Sequence, residues 1–257
     1  MPAKFSATLY IKSEDVETSS IVRNTIEGLL AAGCTYKMTH IPSTDNPNDD
    51  WMKRSWQLVK TIHDTQSLIQ ILSNDIEDVK KSNEKYHMPT RCYFDGAFEM
   101  DNEIRSSIER ERTVFGETVP YLDIILTYNK EAKRIEIIGL IDEVYVSWMG
   151  GDGRMQQSNL KRFLQIVEAI YDKVGPFYGY LDYEGHDYNH ISYFLVENKL
   201  PVDNFFVIIG KSHASGIQIP ENVKSWKRLM DGGLFLQINH HPKSKSPVDA
   251  YIYFNTS

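Results

Sequence analysis

The sequence predicts an α+β fold: a mixed, largely antiparallel sheet, or sheets, with packed helices. Three observations carry that. Two β-rich runs, Tyr121 to Tyr128 and Arg134 to Leu140, flank the short polar stretch Asn129-Lys130-Glu131-Ala132-Lys133, which is the pattern of a hairpin and hence of antiparallel pairing. Leu160, Phe163, Leu164, Val167, Ile170 and Tyr171 recur at helical spacing until Gly175-Pro176 ends the run. The order strand, helix, strands occurs once before Met100 and again after it, so the chain reads as two similar α+β halves, 1–115 and 116–257, either as neighbours or as one continuous domain. The hairpin argues against an all-parallel doubly wound sheet.

Taken in order, Phe5 to Lys12 alternates and is rich in β-formers, so it predicts a first strand. A helix follows, capped by Ser13, Thr18 or Ser19, with an apolar stripe of Ile21, Val22, Ile26, Leu29 and Leu30 and a stop at Gly33. Cys34 to Ile41 predicts a second strand running into the turn-forming loop Pro42 to Asp50. Leu58, Ile62, Thr65, Ile69, Leu72, Ile76 and Val79 fall on one face of a long helix that packs on the core. Arg91 to Phe98 predicts a strand with a bulge or turn at Gly96, and the highly charged Asp101 to Arg112 either a short exposed helix or a mobile segment. After the hairpin, Val144 to Trp148 is expected to continue the sheet, and Phe177 to Tyr183 to form a strand behind the second helix. Asn204 to Gly210 predicts another strand. Val223, Trp226, Leu229 and Met230 predict a short amphipathic helix, the turn Asp231-Gly232-Gly233 launches the strand Leu234 to Asn239, and Ala250 to Phe254 a last strand.

The bulk numbers narrow the function classes. The net charge is -7 and the pI about 5.6, so the surface repels nucleic acid; its basic clusters, such as Lys53-Arg54 and Lys80-Lys81, are short. The two cysteines, Cys34 and Cys92, lack companions at metal-ligand spacing and read as small buried apolar residues in a reducing compartment. No apolar run approaches the roughly 18 residues of a membrane-spanning helix, and no secretion signal is evident. The expectation is a cytoplasmic protein with no membrane partner and no cofactor.

Few motifs point to chemistry. Met149 to Arg154 is Gly-rich before a helix, but it lacks the Gly-Lys-Ser/Thr ending of a phosphate loop and reads as a connection. Ser212, His213 and Ser215 follow a strand without the strained elbow of a nucleophile. His186 and His190, four apart, with Asp182 and one of His240 or His241, form the candidate ligand set of a metal-dependent hydrolase, although Glu184-Gly185-His186-Asp187-Tyr188 has the composition of a loop. The tyrosines are more suggestive. Tyr178, Tyr180, Tyr183 and Tyr188, with Asp182 and Glu184 among them, have the composition of a recognition surface if the rings face outward, and of an aromatic core if they do not.

In the C-terminal half, Val174-Gly175-Pro176-Phe177-Tyr178-Gly179-Tyr180, Asn204-Phe205-Phe206 and Asp231-Gly232-Gly233-Leu234-Phe235-Leu236-Gln237 resemble the immunity protein 52 family and related type VI secretion immunity proteins. The chain departs from them at Ile209-Gly210-Lys211-Ser212-His213, where those families have a Gly-Pro-Glu-like segment, and Met1 to Met100 carries no resemblance. What the resemblance implies is an α+β protein without catalytic residues that binds and neutralises a cognate toxin. The expected function is therefore a non-enzymatic binding protein, an immunity or defence factor whose protein partner meets Tyr178, Tyr180, Asp182, Tyr183, Glu184 and Tyr188. The alternative is the hydrolase, with His186, His190 and His240 on a metal.

Overall fold

The computed structural model describes residues 4–12, 16–42, 56–59, 64–82, 89–100, 121–146, 153–183, 205–215, 217–219, 221–238 and 252–254. Among the described residues the strands are β1 (Lys4–Lys12), β2 (Thr35–Pro42), β3 (Trp56–Val59), β4 (Arg91–Asp95), β5 (Tyr121–Asn129), β6 (Arg134–Asp142), β7 (Tyr178–Tyr183), β8 (Phe206–Ile209), β9 (Val223–Arg228) and β10 (Leu234–Ile238). The helices are α1 (Thr18–Ala31), α2 (Thr65–Lys81), α3 (Glu143–Val146), α4 (Arg154–Val174) and α5 (Lys211–Ala214). All ten strands join one sheet in the order β3-β2-β4-β5-β6-β1-β7-β8-β10-β9, and every pairing is antiparallel. The α+β class is as the sequence predicts.

Strand parity divides the sheet into two faces. Phe5, Ala7, Leu9 and Ile11 of β1 join Ile135, Ile137 and Ile141 of β6 and Phe206 and Ile208 of β8 in a core built with α1, α2 and α4. Helix α1 lies on α4 at Gly28, where an added Cβ would stand 2.8 Å from the Ile170 Cα and 2.9 Å from the Ala169 carbonyl oxygen. Only glycine allows that approach. Arg162 of α4 ties the layer down, donating from Nε to the Gly96 carbonyl at 2.7 Å and from Nη2 to the Ala32 carbonyl at 2.5 Å. On the opposite face the β7, β8 and β10 end is apolar, with Tyr178, Tyr180, Val207, Ile209, Leu234 and Leu236 buried together.

Several expectations need correction. The helix expected through Val223, Trp226, Leu229 and Met230 is strand β9, paired with β10; apolar residues three and four apart here sit in a strand and in the turn that follows it. The turn itself is as expected: Leu229 donates to the Gly233 carbonyl at 2.8 Å, Gly232 donates to that of Leu229 at 2.9 Å, and Gly232 takes φ +98. Val144 to Val146 belongs to α3 rather than to the sheet, held by Asn159 Nδ2 donating to the Tyr145 carbonyl at 3.1 Å. The long helix expected from Leu58 begins only at Thr65, because Asp64 caps it by accepting from the Gln66 and Ser67 amides at 3.1 and 3.0 Å, while Leu58 belongs to β3. Helix α1 starts after Glu17 with no side-chain cap, and Thr18 instead donates to Glu77 of α2. Strand β4 stops at Asp95, with Gly96 buried under Phe98 and Ala97 at φ 55. Residues 252–254 are not a strand; Phe254 packs 4.8 Å from Phe235. The charged segment Asp101 to Arg112 lies outside the described residues.

Candidate functional site

Strand β7 carries the tyrosines that the sequence singles out. Its register against β1 pairs Tyr178 with Tyr10, Tyr180 with Thr8 and Asp182 with Ser6, all on the face away from the helices, while Gly179 and Leu181 point into the helix-covered core. Gly179 leaves room for Leu9: a Cβ there would lie 2.6 Å from Leu9 Cδ2. Of the two alternatives the aromatic core holds for Tyr178 and Tyr180, which are 0% and 5% exposed, and with Asp182, 1% exposed, they are corrected from their expected place on a partner-binding surface. Their physical partner is β1, far away in sequence, whose Tyr10 stacks on Tyr178 at 6.1 Å and lies 6.0 Å from Tyr180. Burial holds the Tyr10 and Tyr178 hydroxyls protonated far above the ordinary tyrosine range.

A charged lattice continues from this aromatic group across β6, β5 and β4. The Arg134 guanidinium lies over the Tyr10 ring at 4.0 Å, a cation–π contact out of water. Its Nε donates to Glu136 Oε1 at 2.9 Å, and Asn129 Nδ2 donates to the same oxygen at 3.0 Å. Arg91 Nη1 donates to Asp123 Oδ2 at 3.0 Å, and Lys4 Nζ meets Asp142 Oδ1 at 2.6 Å. Ser6 Oγ donates to the Asp182 carbonyl at 3.0 Å. At the far side His40, directly across from Arg91, sets its ring edge against Tyr93 at 4.9 Å, and burial followed by the Arg91 charge holds its pKa below the ordinary histidine value. Burial pushes the Tyr93 hydroxyl up to about 12.

The tyrosine pattern did not point to Tyr10, Arg134, Glu136 or Asn129. A signal was present in Arg134-Ile135-Glu136-Ile137, where charges alternate with aliphatics in an otherwise apolar strand and mark a polar face. Of the other expected partner-binding residues, Tyr183 ends β7, and Glu184 and Tyr188 lie outside the described residues. The same holds for His186, His190, His240 and His241. Among the described residues no group of three or more His, Cys, Asp or Glu could hold a metal ion. Ser212 and His213 fall in α5, where the Ser212 hydroxyl and His213 Nδ1 are 2.8 Å apart, with Phe177 beside the imidazole. Cys34 and Cys92 are buried as expected, and burial pushes their thiols up to about 11 and about 12, which keeps both protonated at neutral pH. Among the described residues no helix is long and apolar enough to cross a membrane.

No known protein family matches the chain, and no curated protein does. Among solved structures it is similar to "Pseudomonas aeruginosa T6SS protein PA0821", at 14% identity and a TM-score of 0.41, over 95% of this chain and 69% of that one. A likeness of that size bears on neither family nor function, so the functional reading rests on the residues.

Proposed function

We propose that the protein is a non-enzymatic binding protein, an immunity or defence factor that binds and neutralises a partner protein such as a toxin. One observation carries the reading: the reactive-type side chains brought together on the sheet are engaged with one another. Arg134 answers Glu136, Arg91 answers Asp123 and Lys4 answers Asp142. Groups committed in this way give a rigid framework, and a rigid framework lowers the ordering cost of binding a partner. The C-terminal resemblance to immunity proteins, carried by Val174 to Tyr180, Asn204 to Phe206 and Asp231 to Gln237, points to the same reading.

The test is co-expression with the product of the neighbouring gene. The expected result is that the two proteins co-purify in a fixed ratio and that growth is restored to cells expressing that product. Failure of both sinks the reading. Elemental analysis addresses the hydrolase: stoichiometric zinc or manganese that disappears in His186→Ala would replace the binding role with a metal centre.

A further inference from the structure

At the β9 end of the sheet the main chain, the side chains and the turn combine into a surface with a definite kind of partner. Among the described residues β9 pairs with β10 alone and is the last strand of the sheet. Because Leu229 and Gly233 form a hydrogen-bonded pair, the antiparallel alternation turns the main-chain groups of Lys227 and Ser225 toward β10 and those of Trp226 and Arg228 away from it. Trp226 and Arg228 also share one face, opposite Leu236 and Leu234. Trp226 is half-buried against the apolar cluster there, and Arg228 is exposed, its Nη1 donating to the Gly232 carbonyl at 3.2 Å. Met230, at the tip of the turn, is 91% exposed.

We propose that this outer edge docks an extended segment of the partner protein, which adds a strand beside Trp226 and Arg228 and sets a carboxylate against Arg228 and an apolar side chain against Met230. The proposal rests on the binding reading above. Tryptophan and arginine are the side chains that most often dominate binding energy, and strand addition recruits main-chain groups that already point outward. A second copy of the chain fits poorly. Antiparallel pairing of two β9 strands centred on Trp226 sets Arg228 against Lys224 of the other copy, and like charges directly opposite are unfavourable. The helix-side acids Glu168 and Asp231 do not compete for Arg228, since Glu168 holds Lys227 and Asp231 accepts from Tyr171 at 3.0 and 2.9 Å.

Cationic residues on an edge strand also serve to block unwanted pairing, so the experiment must separate docking from protection. The probe is a fluorescent octapeptide alternating valine and glutamate, titrated into the full chain by anisotropy. It is compared with the same peptide N-methylated on alternate amides and with its valine–lysine counterpart. The glutamate peptide is expected to bind, methylation to weaken it about tenfold or more, and the Trp226 and Arg228 amides to gain hydrogen-exchange protection. Arg228→Glu should reverse the preference toward the lysine peptide, a change of sign that misfolding does not produce. Equal binding of the methylated peptide, protection elsewhere, no reversal, or no binding at millimolar peptide overturns the proposal in favour of edge protection. An R228E protein that still captures its neutralised partner at full strength overturns the docking edge and leaves the binding reading standing. Capture of no partner by the unaltered chain overturns the binding reading itself.

Discussion

The two faces of the sheet solve burial in different ways. Under the helices the strands present Phe5, Leu9, Ile135, Ile137 and Phe206, and α1, α2 and α4 fill the space above them with Ile26, Leu29, Leu72, Leu160 and Phe163. Such a face is held by area and shape, so each side chain contributes according to the volume it fills. On the other face the middle strands bury Arg134, Glu136 and Asp123, and the cost of removing charge from water is offset only by partners at hydrogen-bonding distance. One face tolerates changes of volume in proportion; the other depends on each pair being complete.

Substitutions can break that contrast in order of expected size. Arg134→Met leaves Glu136 buried without its guanidinium and removes the cation from the Tyr10 ring, so it should cost about 4 kcal/mol in urea unfolding. Arg134→Met combined with Glu136→Leu should recover most of that loss; if the double variant is no more stable than the single, the charges are not acting as a pair. On the helix side, Leu160→Ala opens a cavity and should cost about 3 kcal/mol, with no rescue from a change at a neighbouring charge. Gly28→Ala drives a methyl into the α4 backbone and should cost about 2 kcal/mol by the same measurement. The smallest effect concerns pH. The His40 pKa is held below its unfolded value near 6.5, so the unfolded chain takes up a proton that the folded chain resists; stability is complete above about pH 6.5 and declines as pH falls below it. His40→Gln should reduce that decline and leave the contribution of His213, which is shifted in the same direction.

The elements legible in the sequence are those whose pattern is local and long. The β5–β6 hairpin, α4 with its Gly175 stop, and β1 stand where periodicity and turn chemistry place them. Strand β9 was not legible, because Val223, Trp226 and Leu229 are also spaced as a helix face, and only pairing with β10 makes a strand of them. Val144 to Val146 fails for the opposite reason: β-formers curl into α3 because Asn159 on α4 takes the Tyr145 carbonyl. The candidate site was half legible. Composition points to Tyr178 and Tyr180, but what buries them on the sheet is set by Tyr10 and Arg134, which reach them only through pairing across long stretches of chain. Local pattern names a neighbour across a short turn, as in the β5–β6 hairpin, but carries no information about pairings between strands far apart in the chain.

The position of β1 bears on how the chain comes off the ribosome. It is made before both of its neighbours, β6 and β7, so Lys12 waits for Arg134 and Phe5 waits for Tyr183. Contacts this distant in sequence slow folding, because the loop between them must close before the pairing stabilises anything. A nascent chain halted just before β7 has synthesised the middle strand of its sheet with one flank still unpaired. Folding of the central sheet is therefore timed by synthesis of the tyrosine strand, and β8, β9 and β10, which complete the far flank and cover Tyr178 and Tyr180, follow only afterwards.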